Sequence, residues 1–325
     1  MSRKILLTAF CLLLPVFPVR ADGPRDNDPK SVRPVPRPGV RPAGSGFLQL
    51  PDKLKDLRAR ITRAASSRNP AIRALIPDVE IYYRAVNDAM AYNEFFSAND
   101  VKKAHQLLAT GVARADQLIA GQAPWTRQKG LVVRGFISKL DRTVQPYGLV
   151  IPESYDFDAP RRHRLDIWFH GRGETLSEVN FIHQRSRNAG AYTPANTIVL
   201  HPYGRYSNAF KFAGEVDVLE ALTHAKTQYP VDDNRVSLRG FSMGGGEVAR
   251  YMTRHKAERL SKAVLVSAVT PYLAKDANNP DGVDPSIFDG FIAELKKDRP
   301  AFLAGFGKQF YGASMLSASP SSDYL

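Results

Sequence analysis

A serine between glycines gives the clearest indication of chemistry in the sequence. Ser242 lies in the pattern G-x-S-x-G at residues 240–244, after an apolar run at 236–238 and before apolar residues at helical spacing. A strand, sharp turn and helix of this kind exposes the serine hydroxyl, and the flanking glycines avoid collisions with neighbouring backbone. The helix N-terminus stabilises negative charge that develops there. The pattern therefore predicts a nucleophilic Ser242, with an ordinary glycine-rich loop as the alternative.

A second loop, at residues 170–174, predicts groups that stabilise an oxyanion. Its sequence, H-G-R-G-E, follows an apolar run at 165–169 that is typical of a buried strand. A backbone amide at this place faces the oxyanion that forms when a serine attacks a carbonyl carbon. We assign the oxyanion hole to the amide of Met243 and to that of Gly171 or Arg172. Together the two loops indicate acyl transfer.

The sequence leaves the general base and the acid for Ser242 unassigned. In the order serine, acid, histidine, the imidazole takes the serine proton and the carboxylate fixes the imidazole tautomer. The histidine that follows the serine, His255, is 13 residues along the next helix and about 20 Å away, so it is not the base. We keep His201 and His170 as candidate unconventional bases. The alternative is that both are hydrogen-bonded loop residues, with His170 orienting or packing its loop.

Both loops belong to a region in which short apolar strands alternate with helices. The runs that predict strands are Leu131–Ile137, Gly148–Ile151, Leu165–Phe169, Ile198–Leu200, Val236–Leu238 and Ala263–Val269. From residue 165 onward helical stretches separate the runs, which predicts a mostly parallel sheet with helices on both faces. The active site of such a sheet lies beyond the carboxyl ends of its strands.

Helical spacing dominates the region before the strands. Apolar residues recur at intervals of three and four in three groups between residues 51 and 125, the first of them Leu54, Leu57 and Ile61. The spacing predicts a helical region over 51–125 that precedes an α/β domain over 130–325. It leaves open whether the helices form a small domain of their own or lie on the sheet.

Two parts of the chain resemble known hydrolases. About residues 144–245, the stretches 144–150, 168–175 and 201–205 look like secreted esterases or prolyl-oligopeptidase-like hydrolases. Over 240–325, G-F-S-M-G-G-G-E-V-A-R-Y and K-A-V-L-V-S-A-V-T-P-Y-L resemble the cofactor-free, non-haem chloroperoxidases or perhydrolases. Both groups belong to the α/β-hydrolase superfamily. The resemblances meet at the serine turn, which leaves a natural mosaic and a joined reading frame as alternatives.

The resemblance implies an α/β-hydrolase fold whose serine chemistry needs no haem, metal or other cofactor. In the family the catalytic acid and histidine follow a cap region, and this sequence is entering that region when it stops at Leu325. The resemblance therefore implies a fold truncated at its C-terminus, in which the aspartates around Gly282 match cap positions rather than the catalytic acid. The chloroperoxidases usually place an aromatic residue where this chain has Arg172.

The N-terminus predicts export from the cytoplasm. A basic start, a short apolar stretch and small residues at 19–21 predict a signal peptide over residues 1–21 and a secreted or periplasmic location. A retained membrane anchor is the alternative, which Pro15 and Pro18 disfavour because they interrupt the apolar helix. No integral membrane segment is expected after removal of the leader. Residues 22–50 are predicted to be a proline-rich disordered linker.

The composition limits the partners that we expect. The chain has 45 Lys and Arg against 32 Asp and Glu, a net charge of +13, and about +10 remains without the leader. This charge suits an anionic surface in addition to a small ester or acyl substrate. Nucleic acid is not expected, because no base-stacking aromatic motif accompanies the basic residues. The histidine and glycine spacings fit neither a zinc site nor a phosphate loop, so we predict no metal and no cofactor.

The leading hypothesis is a secreted serine hydrolase that cleaves esters through Ser242. The first alternative is a cofactor-free chloroperoxidase or perhydrolase. The second, which follows from the missing triad histidine, is a catalytically inactive fragment or a binding protein. Because loss of the base alone costs about 10⁶ in turnover in a well-studied triad, residues 22–325 are expected to hydrolyse p-nitrophenyl acetate no faster than their Ser242→Ala variant.

Overall fold

The chain folds as a layer of helices followed by alternating strands and helices. The computed structural model describes residues 38–159, 161–171, 173, 175–205, 210, 213–241, 245–246, 248–249, 252, 262–266, 274–277, 279–298, 301–302 and 305. The first helices are α1 (Ser45–Leu48), α2 (Leu50–Ala65), α3 (Pro70–Ala74), α4 (Pro77–Ala91) and α5 (Ala98–Ile119), with a 3-10 helix at Pro124–Arg127. Within the described ranges, no helix is both long and apolar enough to cross a membrane.

Six strands form one sheet in the order β1-β2-β4-β3-β5-β6. The elements are β1 (Gly130–Ile137), β2 (Val144–Ile151), β3 (His163–Phe169), α6 (Glu178–Arg185), β4 (Thr197–Pro202), α7 (Ala213–Gln228), β5 (Val231–Phe241), β6 (Lys262–Val266) and α8 (Pro285–Lys297). β2 is antiparallel to both neighbours, whereas β3, β4, β5 and β6 pair in parallel. α7 packs on one face, and α4 and α6 pack on the other. The mostly parallel sheet with helices on both faces is therefore confirmed.

The three long N-terminal helices lie on the sheet. α2, α4 and α5 share one apolar core with Val133 of β1 and with α6, and α4 contacts both β1 and β2. α5 approaches its neighbours closely at Gly111, where a Cβ atom would lie 2.8 Å from Leu57 Cδ2 and 2.9 Å from Tyr82 Cβ. The helices that the spacing predicts are confirmed, and their position, which the spacing leaves open, is on the sheet.

A buried carboxylate, Asp78, joins the start of α4 to β1. Its Oδ2 accepts hydrogen bonds from Trp125 Nε1 at 2.9 Å and Arg134 Nε at 2.8 Å, and its Oδ1 accepts from the Gly135 amide at 2.8 Å. The Asp78 and Arg134 side chains are 2% and 1% exposed. Burial lowers the pKa of Arg134, but the charge of Asp78 and its hydrogen bond outweigh burial and raise that pKa overall. The two residues therefore form a desolvated ion pair with additional hydrogen bonds.

The backbone of α4 also touches the backbone of β1. A Cβ atom at Gly135 would lie 2.2 Å from the Pro77 carbonyl oxygen, so a side chain at this position would push α4 away from the strand. Arg114 of α5 donates to the carbonyl oxygens of Asp78 at 3.1 Å and Val133 at 2.8 Å. These contacts hold α4, α5 and β1 together.

We predict that Asp78→Ala lowers the free energy of unfolding by about 3–5 kcal/mol, because it leaves the Arg134 guanidinium buried without its carboxylate. Urea unfolding followed by circular dichroism measures this loss. Asp56→Ala removes an exposed carboxylate that pairs with Arg60 on α2 and should cost less than about 1 kcal/mol. Equal losses in the two variants would contradict the anchoring role of Asp78.

Glu178, in the first turn of α6, is a buried acid with an incomplete set of partners. Its Oε2 has no hydrogen-bond partner, and Arg84 Nη2 is 3.7 Å from its Oε1. Burial raises the pKa of Glu178 to about 8, and the charge of Arg84 offsets only part of this effect. Glu178 is therefore mostly protonated at neutral pH, so this contact between α4 and α6 is largely uncharged on one side.

The raised pKa of Glu178 predicts a loss of stability as pH rises. The native state keeps a proton that the unfolded chain releases near pH 4.5, so this residue makes stability fall between about pH 4.5 and about pH 8. Glu178→Gln should remove this fall. Between pH 4.5 and pH 8.5, the free energy of unfolding of the variant relative to wild type should therefore rise by on the order of 3 kcal/mol. Urea unfolding at both pH values tests it, with the exposed Glu153→Gln as control; a difference that does not change with pH would refute it.

Candidate active site

The carboxyl ends of β3 and β5 lie side by side. Phe169, the last residue of β3, is paired in parallel with Gly240 of β5. On the far side of β5, Val266 of β6 is paired with Phe241. The loop at 170–174 and the serine turn therefore leave the sheet at the same edge, as the sequence pattern predicts.

Several predicted site residues lie outside the described part of the chain. They are Ser242, Met243, Gly244, Arg172 and His255. The roles of Ser242 as nucleophile and of Met243 and Arg172 in the oxyanion hole stay predictions. Residues 245–246 and 248–249 are helical, and Val248 is fully buried in the core beneath the sheet. The strand before the serine and the helix after it are thus both present.

His170 turns both ring nitrogens towards backbone carbonyl groups. Its Nδ1 is 2.8 Å from the Gly171 oxygen, and its Nε2 is 3.1 Å from the Tyr203 oxygen. Burial lowers the pKa of His170, and the two carbonyl groups only partly oppose that shift. A neutral imidazole donates one of these two bonds. The ring lies between the loop after β3 and the loop after β4, an arrangement that suits the orienting role.

His201, the other candidate base, is buried inside β4. Arg185 Nη1 lies 3.2 Å from His201 Nδ1, so Nδ1 accepts and the ring proton resides on Nε2, which has no hydrogen-bond partner. Burial, then the charges of Arg185 and His170, lower the pKa of His201 to about 3. A ring with this pKa is neutral and weakly basic at pH 7. Its assignment as an unconventional base stays a prediction, and its surroundings give it little power to take a serine proton.

A cavity of about 630 Å³ opens beside the loop that follows β3. His170, Gly171 and Gly173 line this cavity together with residues of α6, and the start of α5 contributes Lys103 and Asp100 to its wall. The N-terminal helices therefore contribute directly to the site. No sequence signal indicates this wall, because α5 reaches the loop only through tertiary packing.

A second polar group that the sequence does not reveal lies on β3 itself. Asp166 is fully buried and accepts hydrogen bonds from Arg164, Arg239 and the Tyr192 hydroxyl. Burial raises the pKa of Asp166, but these three donors outweigh it and lower that pKa overall. Tyr192 stacks on Trp168 with ring centroids 5.4 Å apart. The cluster holds β3, β5 and the loop before β4 together. Among the described residues, no group of three or more His, Cys, Asp or Glu side chains lies close enough to hold a metal ion.

Comparison with known proteins supports the resemblance to α/β-hydrolases. No family model matches the chain. It is 46% identical over 87 residues to a non-heme chloroperoxidase of Streptomyces lividans, which is 26% of this chain and 32% of that protein. It is 40% identical over 83 residues to an AB hydrolase superfamily protein of Bacillus subtilis, which is 26% of this chain and 31% of that one. The chain thus spans about three tenths of the length of these relatives.

One solved structure with a similar backbone is a ferulic acid esterase, with 22% identity and a TM-score of 0.33 over 43% of this chain and 61% of the esterase. That likeness is too distant to support an argument about activity. The curated relatives and the mixed, mostly parallel sheet define the class: the chain resembles the α/β-hydrolases and non-haem chloroperoxidases, and its fold is of the α/β-hydrolase type.

The lowered pKa of His201 predicts sensitivity to acid. The unfolded chain takes up a proton near pH 6.5, whereas the native ring resists protonation to about pH 3, so this residue makes stability fall as pH drops through that window. His201→Asn keeps an acceptor for Arg185 and removes the titration. Between pH 6.5 and 4.5, wild type should lose about 2 kcal/mol more than this variant. Urea unfolding at the two pH values measures the difference, and parallel losses would show that His201 titrates normally.

Proposed function

We propose that the chain is a serine hydrolase that acts on esters, with Ser242 attacking the carbonyl carbon. The observation that carries this proposal is the parallel pairing of Phe169 with Gly240, which starts the serine turn and the loop at 170–174 from one edge of the sheet. The oxyanion of the tetrahedral intermediate would be held by the amide of Met243 and that of Gly171 or Arg172. The alcohol then leaves, and water hydrolyses the acyl-enzyme.

His170 acts in this proposal as a positioning residue. Its single N–H donates to the carbonyl oxygen of either Gly171 or Tyr203, and this hydrogen bond restrains a peptide group beside the predicted oxyanion hole. Preorganised amides stabilise a developing charge without reorganising at the moment of reaction. The ring is neutral at pH 7, so it adds no charge that would attract the oxyanion away from the amides.

The general base has no assignment in this proposal. His201 is neutral and weakly basic, and His170 faces backbone oxygens through both ring nitrogens. Attack by Ser242 without a positioned base is slow, which agrees with the low turnover that the sequence predicts. A covalent label needs a single attack, so it detects a slow nucleophile that steady-state turnover does not.

We predict that a fluorophosphonate probe forms an adduct at Ser242 during a long incubation. The oxyanion hole and substrate binding retain about 10³–10⁴-fold acceleration over water when a triad member is missing, which favours this serine over the others in the chain. Intact-mass and peptide mass spectrometry locate the adduct.

The Ser242→Ala variant is the control and should remain unlabelled under the same conditions. Circular dichroism establishes that both proteins are folded. Folded wild-type protein with no adduct, or with the adduct on another residue, would contradict a nucleophilic Ser242.

A second candidate function is perhydrolysis, and the identity of 40–46% with non-heme chloroperoxidases over about a quarter of the chain favours it. Here Ser242 attacks a carboxylic acid and water leaves, and hydrogen peroxide then attacks the acyl-enzyme, which releases a peracid and regenerates the serine hydroxyl. The peracid oxidises halide. Halogenation of monochlorodimedone that requires acetate, peroxide and Ser242 would distinguish this activity from ester hydrolysis.

We also propose, on the predicted signal peptide alone, that the reaction takes place outside the cytoplasm.

A further inference from the structure

The positive charge of the chain is concentrated in its first helices. Residues 45–76, which contain α1, α2 and α3, carry seven Lys and Arg against two Asp. About a tenth of the chain therefore holds half of the net charge of about +10 that remains without the predicted leader. α2 packs on α4 and α5, and α4 in turn packs on β1 and β2. The exposed face of α2 thus belongs to the outer side of the helical layer.

Two of these cations are neutralised by contacts between the helices. Arg58 of α2 pairs with Glu80 of α4 at 3.0 Å. Arg60 pairs with Asp56 of its own helix at 3.1 Å and with Asp116 of α5. These pairs lie on the two flanks of α2, where its neighbours pack, so they join the helices and leave little charge for an external partner.

Five further cations have no carboxylate partner among the described residues. All of them are exposed, and we call them the basic surface: Lys53, Lys55, Arg63, Arg68 and Arg73. Arg73 Nη1 donates to the backbone oxygens of Ser67 at 2.7 Å and Arg68 at 3.0 Å, which holds its guanidinium group beside the end of α2. The basic surface therefore presents its charge to the surroundings of the protein.

An exposed leucine lies on the same face of the helix as the basic surface. Gln49, between α1 and α2, has helical backbone angles; its amide donates to Ser45 and its oxygen accepts from the Lys53 amide, so the two helices are nearly continuous. Lys55 follows Leu48 by seven residues, about two turns, which places both on one face. Leu48 is 73% exposed. An apolar side chain beside free cations fits a partner with negative charge outside and an apolar interior.

We infer that the basic surface binds the headgroups of an anionic lipid bilayer, with Leu48 entering the interface. Each Lys or Arg that lies near such a bilayer strengthens binding by about fivefold. A soluble polyanion would meet the same cations, but it would offer Leu48 no apolar interior. The inference locates on the fold the anionic surface that the composition suggests, and it does not depend on the proposed serine chemistry.

Binding to phospholipid vesicles tests the inference with the whole chain. Vesicles of phosphatidylcholine with about 30% phosphatidylglycerol should bind at least about a hundredfold more tightly than phosphatidylcholine alone, and about 0.5 M salt should remove most of this preference. The predicted apolar leader is present in every protein compared, so its contribution cancels in such ratios.

A pair of double variants tests whether the basic surface carries the preference. Lys55→Gln with Arg63→Gln should lower it by about 25-fold, because two cations are lost. Lys296→Gln with Lys297→Gln removes the same charge from the exposed end of α8 and should leave the preference unchanged. Equal binding to both kinds of vesicle, or equal losses in the two double variants, would overturn the inference.

Leu48→Ser distinguishes a lipid bilayer from a soluble polyanion. It should weaken binding to the anionic vesicles by about tenfold, through the lost burial of a leucine, and leave binding to dextran sulfate unchanged. Leu140→Ser is the matched control, since Leu140 is 56% exposed on the turn between β1 and β2. Circular dichroism establishes that the variants, all at exposed positions, are folded. Binding to dextran sulfate but not to anionic vesicles, or vesicle binding that Leu48→Ser does not weaken, would overturn the inference.

Discussion

The buried carboxylate of Asp78 is the contact on which the arrangement of helices and sheet depends. It neutralises Arg134 of β1 inside the protein and accepts a hydrogen bond from the amide of Gly135 on the same strand. One side chain of α4 therefore holds this helix at a fixed place on β1. A buried ion pair of this kind adds little net stability compared with apolar residues, but losing one partner is costly. Its consequence is geometric, because it allows the helices a single packing position on the sheet.

This packing of the helices on the sheet also shapes the candidate active site. α5 packs against α2 and α4, and its first turns carry Lys103 to the cavity beside the loop at 170–174. Several buried groups hold the uncharged form: His170, which lines that cavity, and His201 are neutral at pH 7, and Glu178 on α6 keeps its proton. Burial without full compensation costs stability. The protein tolerates that cost at the edge of the sheet where the two predicted chemical loops begin.

Sequence patterns predicted the parts of this architecture that depend on local spacing. The strands follow from apolar runs and their alternation with helices, whereas the order of the strands, with β3 between β4 and β5, was not predicted. β2 begins at Val144, earlier than predicted, because Pro146 lies beyond the residues of β2 that pair with β4, and proline is tolerated where a strand has one neighbour. β5 also begins earlier than predicted, at Val231, and its polar residues 233–235 are exposed, so they add no apolar residues to the pattern.

The wall of the cavity was not predictable in this way. Lys103 and Asn180 are 77 positions apart, and Asp78 and Arg134 are 56 apart. These pairs meet only through tertiary packing, and a buried aspartate has the same appearance in a helical pattern as an exposed one. The apolar periodicity of α4 and α5 indicated which faces are buried, but it carried no information on what they are buried against.

Native-state hydrogen exchange tests most directly whether the helices and the sheet form one cooperative unit. The account predicts that the slowest amides of α4 and α5 exchange with the same opening free energy as those of β1 and β3, and that Asp78→Ala lowers all of them by the same amount. Slow amides in the sheet alone, with α4 and α5 opening at a clearly lower free energy in wild type, would contradict it.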